Sequence, residues 1–263
     1  NIEVSVTNLG CIITFVKIKG ENYKDRNVVL GYNSAQEYIR DPYFTGCIIG
    51  RFAGRIKNSA FTINNIKYGL SPNEKNTVHH LHGGTNGFNK KIFRVVDAGS
   101  DNRRCFVKLD TISLHLEEGY PGELQTIVTI ELNDENEIII TYEARTDRPT
   151  HVNLAHHHYF NLNGEDKDGM EQQLEIYADE YLRQDHQYIP DGSLLPVINT
   201  NNDFTSPRII KDTKGEKVYN EYFVLNKRVP GGADARLSVP SLKMDIATTY
   251  PCIVFYSADF LGQ

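Results

Sequence analysis

Runs of β-branched and aromatic residues, broken by Gly, Asn, Asp and Pro and almost free of helical periodicity, constrain what this chain can fold into. CIITFVKI (11–18), AFTINNIKY (60–68), QTIVTIEL (125–132), EIIITYE (137–143) and CIVFYS (252–257) each read as a strand. The pair 125–132 and 137–143 flanks the polar turn sequence NDEN and reads as an antiparallel hairpin, and Asn64-Asn65 reads as a second, tight one. One short helix is expected at 33–40 (NSAQEYIR), with Asn33 or Ser34 as its cap. The fold class that follows is all-β, a large antiparallel β-sandwich over 1–263 as a single domain.

With 263 residues and 40% hydrophobic content the chain can bury a large core. Its 28 basic and 34 acidic residues give a net charge of −6, and there is no Lys/Arg-rich stripe, which argues against a nucleic-acid partner. No window has the apolar length of a membrane span, so no membrane partner is expected. The four cysteines, Cys11, Cys47, Cys105 and Cys252, form no CxxC pair and sit in apolar neighbourhoods. They read as buried free thiols in a reducing, cytoplasmic setting.

Histidine is the residue to explain, because seven of nine lie in two short clusters. NTVHHLHGGTNGF (76–88) carries His80 and His82, which share a face if the segment is extended, directly before two glycines that permit close backbone approach. THVNLAHHHYFNLNG (150–164) puts His156, His157 and His158 in a row. Successive strand residues face opposite ways, so His157 looks one way and its neighbours the other. Three readings stand on the residues alone. His80, His82 and His157 could ligate a metal, although no carboxylate is spaced to complete the set. They could be ordinary histidines with satisfied nitrogens. Or two imidazoles could do acid/base work. A concave sheet face would suit a polar ligand, and with no Trp among its residues the chain would stack a sugar ring on Phe or Tyr.

GRFAGRI (50–56), HLHGGTNGFNKKIF (80–93), EGYPGEL (118–124), HVNLAHHHYFNLNG (151–164) and FYSADFLGQ (255–263) follow one another in the order and spacing of the aldose 1-epimerases, the galactose mutarotases. The resemblance runs the whole length of the chain. It implies the galactose mutarotase-like β-sandwich and an isomerase of hexose and galactose metabolism. The reaction interconverts the α and β anomers of free glucose or galactose by acid/base ring opening and reclosure, with a monosaccharide partner, no cofactor and no metal, in a monomer or homodimer. By position in these motifs, Arg55 resembles the arginine that hydrogen-bonds the sugar. His82 resembles the histidine near the ring oxygen, and His157 the general acid. His156 and His158 read as incidental.

The chain departs from the family pattern twice. In VYNEYFVL (218–225) Asn220 stands where the family has an Asp that binds a ring hydroxyl, so one acceptor oxygen replaces a charged carboxylate. The family's general base is a Glu well downstream of FY-x-x-x-F-L, and residues 1–263 contain no counterpart. The sandwich is therefore expected to lack its C-terminal strands here, and Glu117, Glu118 and Asp191 offer no replacement. A non-catalytic sugar-binding relative is the alternative reading. A phosphosugar enzyme would call for an extra Arg/Lys cluster, which the sequence does not place.

Overall fold

The computed structural model describes residues 2–21, 25–211, 218–226 and 232–261. Antiparallel strands dominate them, and among these residues the one α-helix is Ala35–Arg40. Ser34 caps it: its Oγ accepts from Glu37 N–H at 3.4 Å and donates to the Glu37 carboxylate at 2.7 Å, a reciprocal cap that satisfies an otherwise orphan helix donor. No helix among the described residues is long and apolar enough to cross a membrane.

The chain divides into two compact units, residues 1–159 and 160–263. The first is built on a four-stranded antiparallel sheet, Arg94–Ser100, Arg104–Ser113, Leu124–Asn133 and Ile138–Thr146, paired in chain order. The hairpin expected around NDEN is present, with Leu124 opposite Thr146 and Leu132 opposite Ile138. Every second residue of Leu124–Ile130 is buried, the alternation of a sheet with one face on the core. Ala60–Ile63 and Ile66–Gly69 form the second hairpin, and both turn residues are left-handed, Asn64 at φ 50° and Asn65 at φ 64°. Asparagine tolerates that conformation, which a tight two-residue turn requires. A third sheet pairs Ile2–Val6, Ile13–Ile18 and Arg26–Asn27.

The second unit holds two four-stranded sheets, one of Arg208–Ile209, Gln173–Ile176, Ala235–Val239 and Leu242–Ile246, the other of Pro190–Pro196, Glu180–Gln184, Asn220–Val224 and Cys252–Tyr256. Phe204, Tyr219 and Phe223 are at most 1% exposed and pack edge-on, with Phe204–Tyr219 centroids 5.3 Å apart. The cysteine expectation is corrected in part. Cys11 and Cys47 are buried, but Cys105 is exposed and Cys252 half-buried, because both lie on strands with an open face.

What fixes the first unit's interior is an arginine. Arg51 is 2% exposed, and its guanidinium donates to Ser113 Oγ (2.9 Å) and to the carbonyls of Ser113, Leu114, Pro121 and Gly122 (2.8–3.0 Å). All are neutral acceptors on one loop, so the buried charge is solvated by backbone dipoles. Ser113 Oγ passes the chain of hydrogen bonds on to the Glu117 carboxylate, which is paired with Lys91 at 2.6 Å. A planar fork of donors suits this arrangement and an ammonium does not. Arg51→Lys is therefore expected to leave several of these carbonyls unpaired and to lower unfolding stability by at least about 3 kcal/mol, measured by urea denaturation.

Candidate active site

Three motif segments are laced together by backbone hydrogen bonds. Ile48–Ile49 pairs antiparallel with Ala155–His156, and Arg55–Ile56 pairs with His80–Leu81. Between the two pairings, Ala53 N–H donates to Asn153 O and Asn153 N–H to Arg51 O, each at 2.8 Å. His157 is held on both sides of its peptide, its N–H donating to Cys47 O and its carbonyl accepting from Gly46 N–H, each at 2.9 Å. Arg55, His82 and His157 therefore belong to one framework although they lie far apart in the chain.

The rings follow the strand register. His157 and His82 meet edge to face with centroids 5.4 Å apart at 81°. His156 and His158 stack on each other instead, 5.3 Å apart and within 9° of parallel. Only the middle histidine of the three faces His82, as alternation requires. His156 is not incidental, however. Its Nδ1 accepts from Tyr142 OH at 2.7 Å and its Nε2–H donates to Cys11 O at 3.0 Å, so both nitrogens are committed to structure.

His80 and His82 do not share a face, because the segment is not extended there. The backbone turns at His82 (φ 52°), then passes Gly83 (φ 90°), where a Cβ would lie 1.7 Å from Gly50 O. Only glycine allows that approach. His80 is turned inward, fully buried against Tyr120, with Nδ1 2.7 Å from Ser71 O. The carbonyl can only accept, so Nδ1 carries the proton. His82 has the opposite tautomer: its Nδ1 accepts from Gly54 N–H at 3.0 Å, which places the proton on Nε2 and leaves it as a donor. The metal reading loses its pair of adjacent ligands by this turn.

Arg55 is oriented by Glu74, a residue that motif spacing gave no reason to select. Its Nε and Nη2 both donate to one Glu74 oxygen, at 2.8 and 2.6 Å, with the side chains 8% and 16% exposed. Near burial is what gives such a pair more weight than a surface ion pair. Thr77 Oγ holds the other Glu74 oxygen at 3.2 Å. Asn220 belongs to the second unit, opening the strand Asn220–Val224 opposite Tyr256, half-buried, with its carbonyl taking a 2.6 Å bond from Gln184. Glu117, Glu118 and Asp191 are committed elsewhere: Glu117 to Lys91, Glu118 to Asn86 N–H at 2.7 Å, and Asp191 to Arg183 at 2.5 Å.

The histidines do not keep the ordinary value near 6.5 from which acid work was argued. Burial pushes His157 down to about 4, against smaller upward pulls from a backbone hydrogen bond and from Asp41. Burial, then the charges of His157 and Arg55, hold His82 well below the usual range. Burial also takes His156 to about 4. These imidazoles are neutral at pH 7. The unfolded chain binds protons at about pH 6.5 and the folded chain only near 4, so acid favours unfolding across that window. Stability should be flat above pH 7 and fall as pH drops from 6.5 towards 4, by at most about 1.4 kcal/mol per pH unit per histidine, in urea titrations run at stepped pH.

A family model described as aldose 1-epimerase matches residues 1–263. The aldose 1-epimerase of Escherichia coli K12 is 35% identical, over 98% of this chain and 76% of its own length. The galactose mutarotase of Homo sapiens is 34% identical, over 99% of this chain and 75% of its own. Among solved structures, an aldose epimerase homologue from C. elegans superposes with a TM-score of 0.90 at 29% identity, covering 99% of this chain and 80% of that one. A galactose 1-epimerase from Lactobacillus acidophilus gives 0.84 at 27% identity, covering 96% and 74%. The all-β reading and the resemblance of the motifs are both borne out, and the fold is of the galactose mutarotase type.

Proposed function

The chain belongs to the aldose 1-epimerase family, and on that premise we propose that it interconverts the α and β anomers of a free hexose such as glucose or galactose. The observation that carries this reading is the meeting of His82 and His157 at 5.4 Å on a framework that also holds Arg55. In ring opening, the C1 hydroxyl loses its proton to a base and the bond from C1 to the ring oxygen breaks. The ring oxygen then gains a proton, and after rotation about C1–C2 the steps reverse on the other face. No net proton, electron or group is transferred.

In this reading Arg55, oriented by Glu74, fixes a sugar hydroxyl. His82 presents Nε2–H near the ring oxygen, its tautomer set by Gly54. His157 delivers the proton. Because burial keeps it neutral in the free protein, it must take up a proton before it acts, and Asp41 favours that uptake. The protonated ring is then a stronger acid than an ordinary imidazolium, which raises the driving force for transfer. Nothing in this scheme calls on a metal or a cofactor. The free thiols support a reducing, cytoplasmic setting.

The C1 proton acceptor is assigned to no residue of 1–263. The acids Glu117, Glu118 and Asp191 already serve ion pairs or backbone donors. Sugar binding without turnover would favour the non-catalytic alternative.

Polarimetry on freshly dissolved α-D-glucose and α-D-galactose tests the reading. His157→Asn should cost about 10²-fold or more in kcat. Normal turnover by His157→Asn would remove it from the acid role. Glu74→Gln weakens the hold on Arg55 and should raise KM more than it lowers kcat.

A further inference from the structure

Phe44 of the loop DPYFTG (41–46) lies against both histidines, and the scheme above leaves it unused. Phe44 has φ 59°, a left-handed backbone that bulky residues adopt only when their surroundings impose it. Its ring sits edge-on to His82 at 4.9 Å and 70°, and tilted to His157 at 6.1 Å and 35°. One ring thus touches both imidazoles.

What imposes the strained backbone is visible. Asp41 is 8% exposed, and its carboxylate accepts from Tyr32 OH and Tyr43 N–H at 2.9 Å each and from Thr45 N–H at 2.6 Å, gripping the peptides on both sides of Phe44. Lys90 ties the carbonyls of Ile39 and Asp41, at 2.9 and 3.0 Å. Tyr159 OH donates to Tyr43 O at 2.8 Å, and Gly46 N–H closes the loop onto His157 O. A hydrophobic contact alone would not require this, since an apolar residue can pack on the neighbouring core from relaxed backbone. Strain kept by many independent hydrogen bonds at a site points to a constrained orientation.

We propose that Phe44 is a positioning residue of this site: the Asp41 clamp holds its ring where it fixes the mutual orientation of His82 and His157. This rests on the mutarotase reading for its kinetic consequence, but not for its geometry. Phe44 also shields one side of both rings, in keeping with their burial. Arg55 and His80 also bear on His82, and Asp41, His158 and the Tyr159 ring, 5.0 Å away, on His157.

The test is a comparison of Phe44→Gly, Phe44→Tyr and Asp41→Asn with the parent chain. Glycine is relaxed at φ 59°, so Phe44→Gly removes the ring while relieving the backbone. It should lower kcat by about 10- to 100-fold with KM changed less than about threefold, because orientation rather than binding is lost. Phe44→Tyr keeps the ring and should stay within about threefold of the parent in kcat. Asp41→Asn loosens the loop and also removes the charge that favours proton uptake by His157, so its kcat should fall below that of Phe44→Tyr. In parallel, the imidazole proton resonances of His82 and His157 should shift and broaden in Phe44→Gly and hold in Phe44→Tyr. A fall in thermal midpoint with kcat and both resonance sets unchanged would reduce Phe44 to packing and overturn the proposal. If the parent shows no mutarotation, the functional reading falls. The histidine resonances then decide Phe44 by themselves, unchanged signals in Phe44→Gly refuting it.

Discussion

The backbone hydrogen bonds that seat residues 46–56 between 151–157 and 80–82 are what the site depends on. A buried N–H or C=O must find a partner, and here the partners are supplied almost one for one: Gly46 and Cys47 by His157, Arg51 and Ala53 by Asn153, Gly54 by His82. This ladder sets which face each side chain takes. A slip of one residue in 151–157 would carry His157 to the side now occupied by His156, towards Tyr142 and Cys11, and would bring a structural histidine to face His82. The buried Arg51 guarantees the ladder from behind, since its five acceptors tie the strand's middle to a loop more than sixty positions away in sequence. The geometry of the proposed site is thus a matter of register before it is a matter of side-chain chemistry.

Features with a short period or a local cause were legible in the sequence. The strands at 124–133 and 138–146 and the Asn64-Asn65 turn follow from residue preference and turn chemistry. The Ser34 cap follows from a hydroxyl three positions ahead of an acid. That His157 and not its neighbours faces His82 followed from alternation, although only Ala155–His156 is regular strand. What was hidden depends on contacts between distant segments. Nothing local marks Glu74 as the partner of Arg55, Arg51 as buried rather than solvated, or Phe44 as the ring between two histidines. The left-handed turn at His82 was also hidden. Alternation placed His80 and His82 on one face, and the approach of Gly83 to Gly50 O separates them. Cys105 and Cys252 failed for a related reason: an apolar neighbourhood in sequence does not say which face of a strand is covered.

The same burial that orders the imidazoles changes what they can do. A histidine near 6.5 is half-charged close to neutrality and can give or take a proton with little bias. His157 at about 4 and His82, held well below the usual range, are neutral rings, with one tautomer of His82 already chosen by Gly54 N–H. His82 thus has a fixed donor before any ligand arrives, the kind of preorganisation that would serve the proposed reaction. The cost is that a protonated His157 is scarce at neutral pH, about one molecule in a thousand for a group titrating near 4. Scarcity and acid strength pull in opposite directions. Asp41 bears on that balance through its charge, which favours the imidazolium of His157. Its hydrogen bonds also hold the loop that carries Phe44 against the same ring. A single carboxylate therefore acts on His157 both by charge and by fixing the ring beside it. In this site orientation and proton affinity cannot be varied independently, because the same buried residues set both.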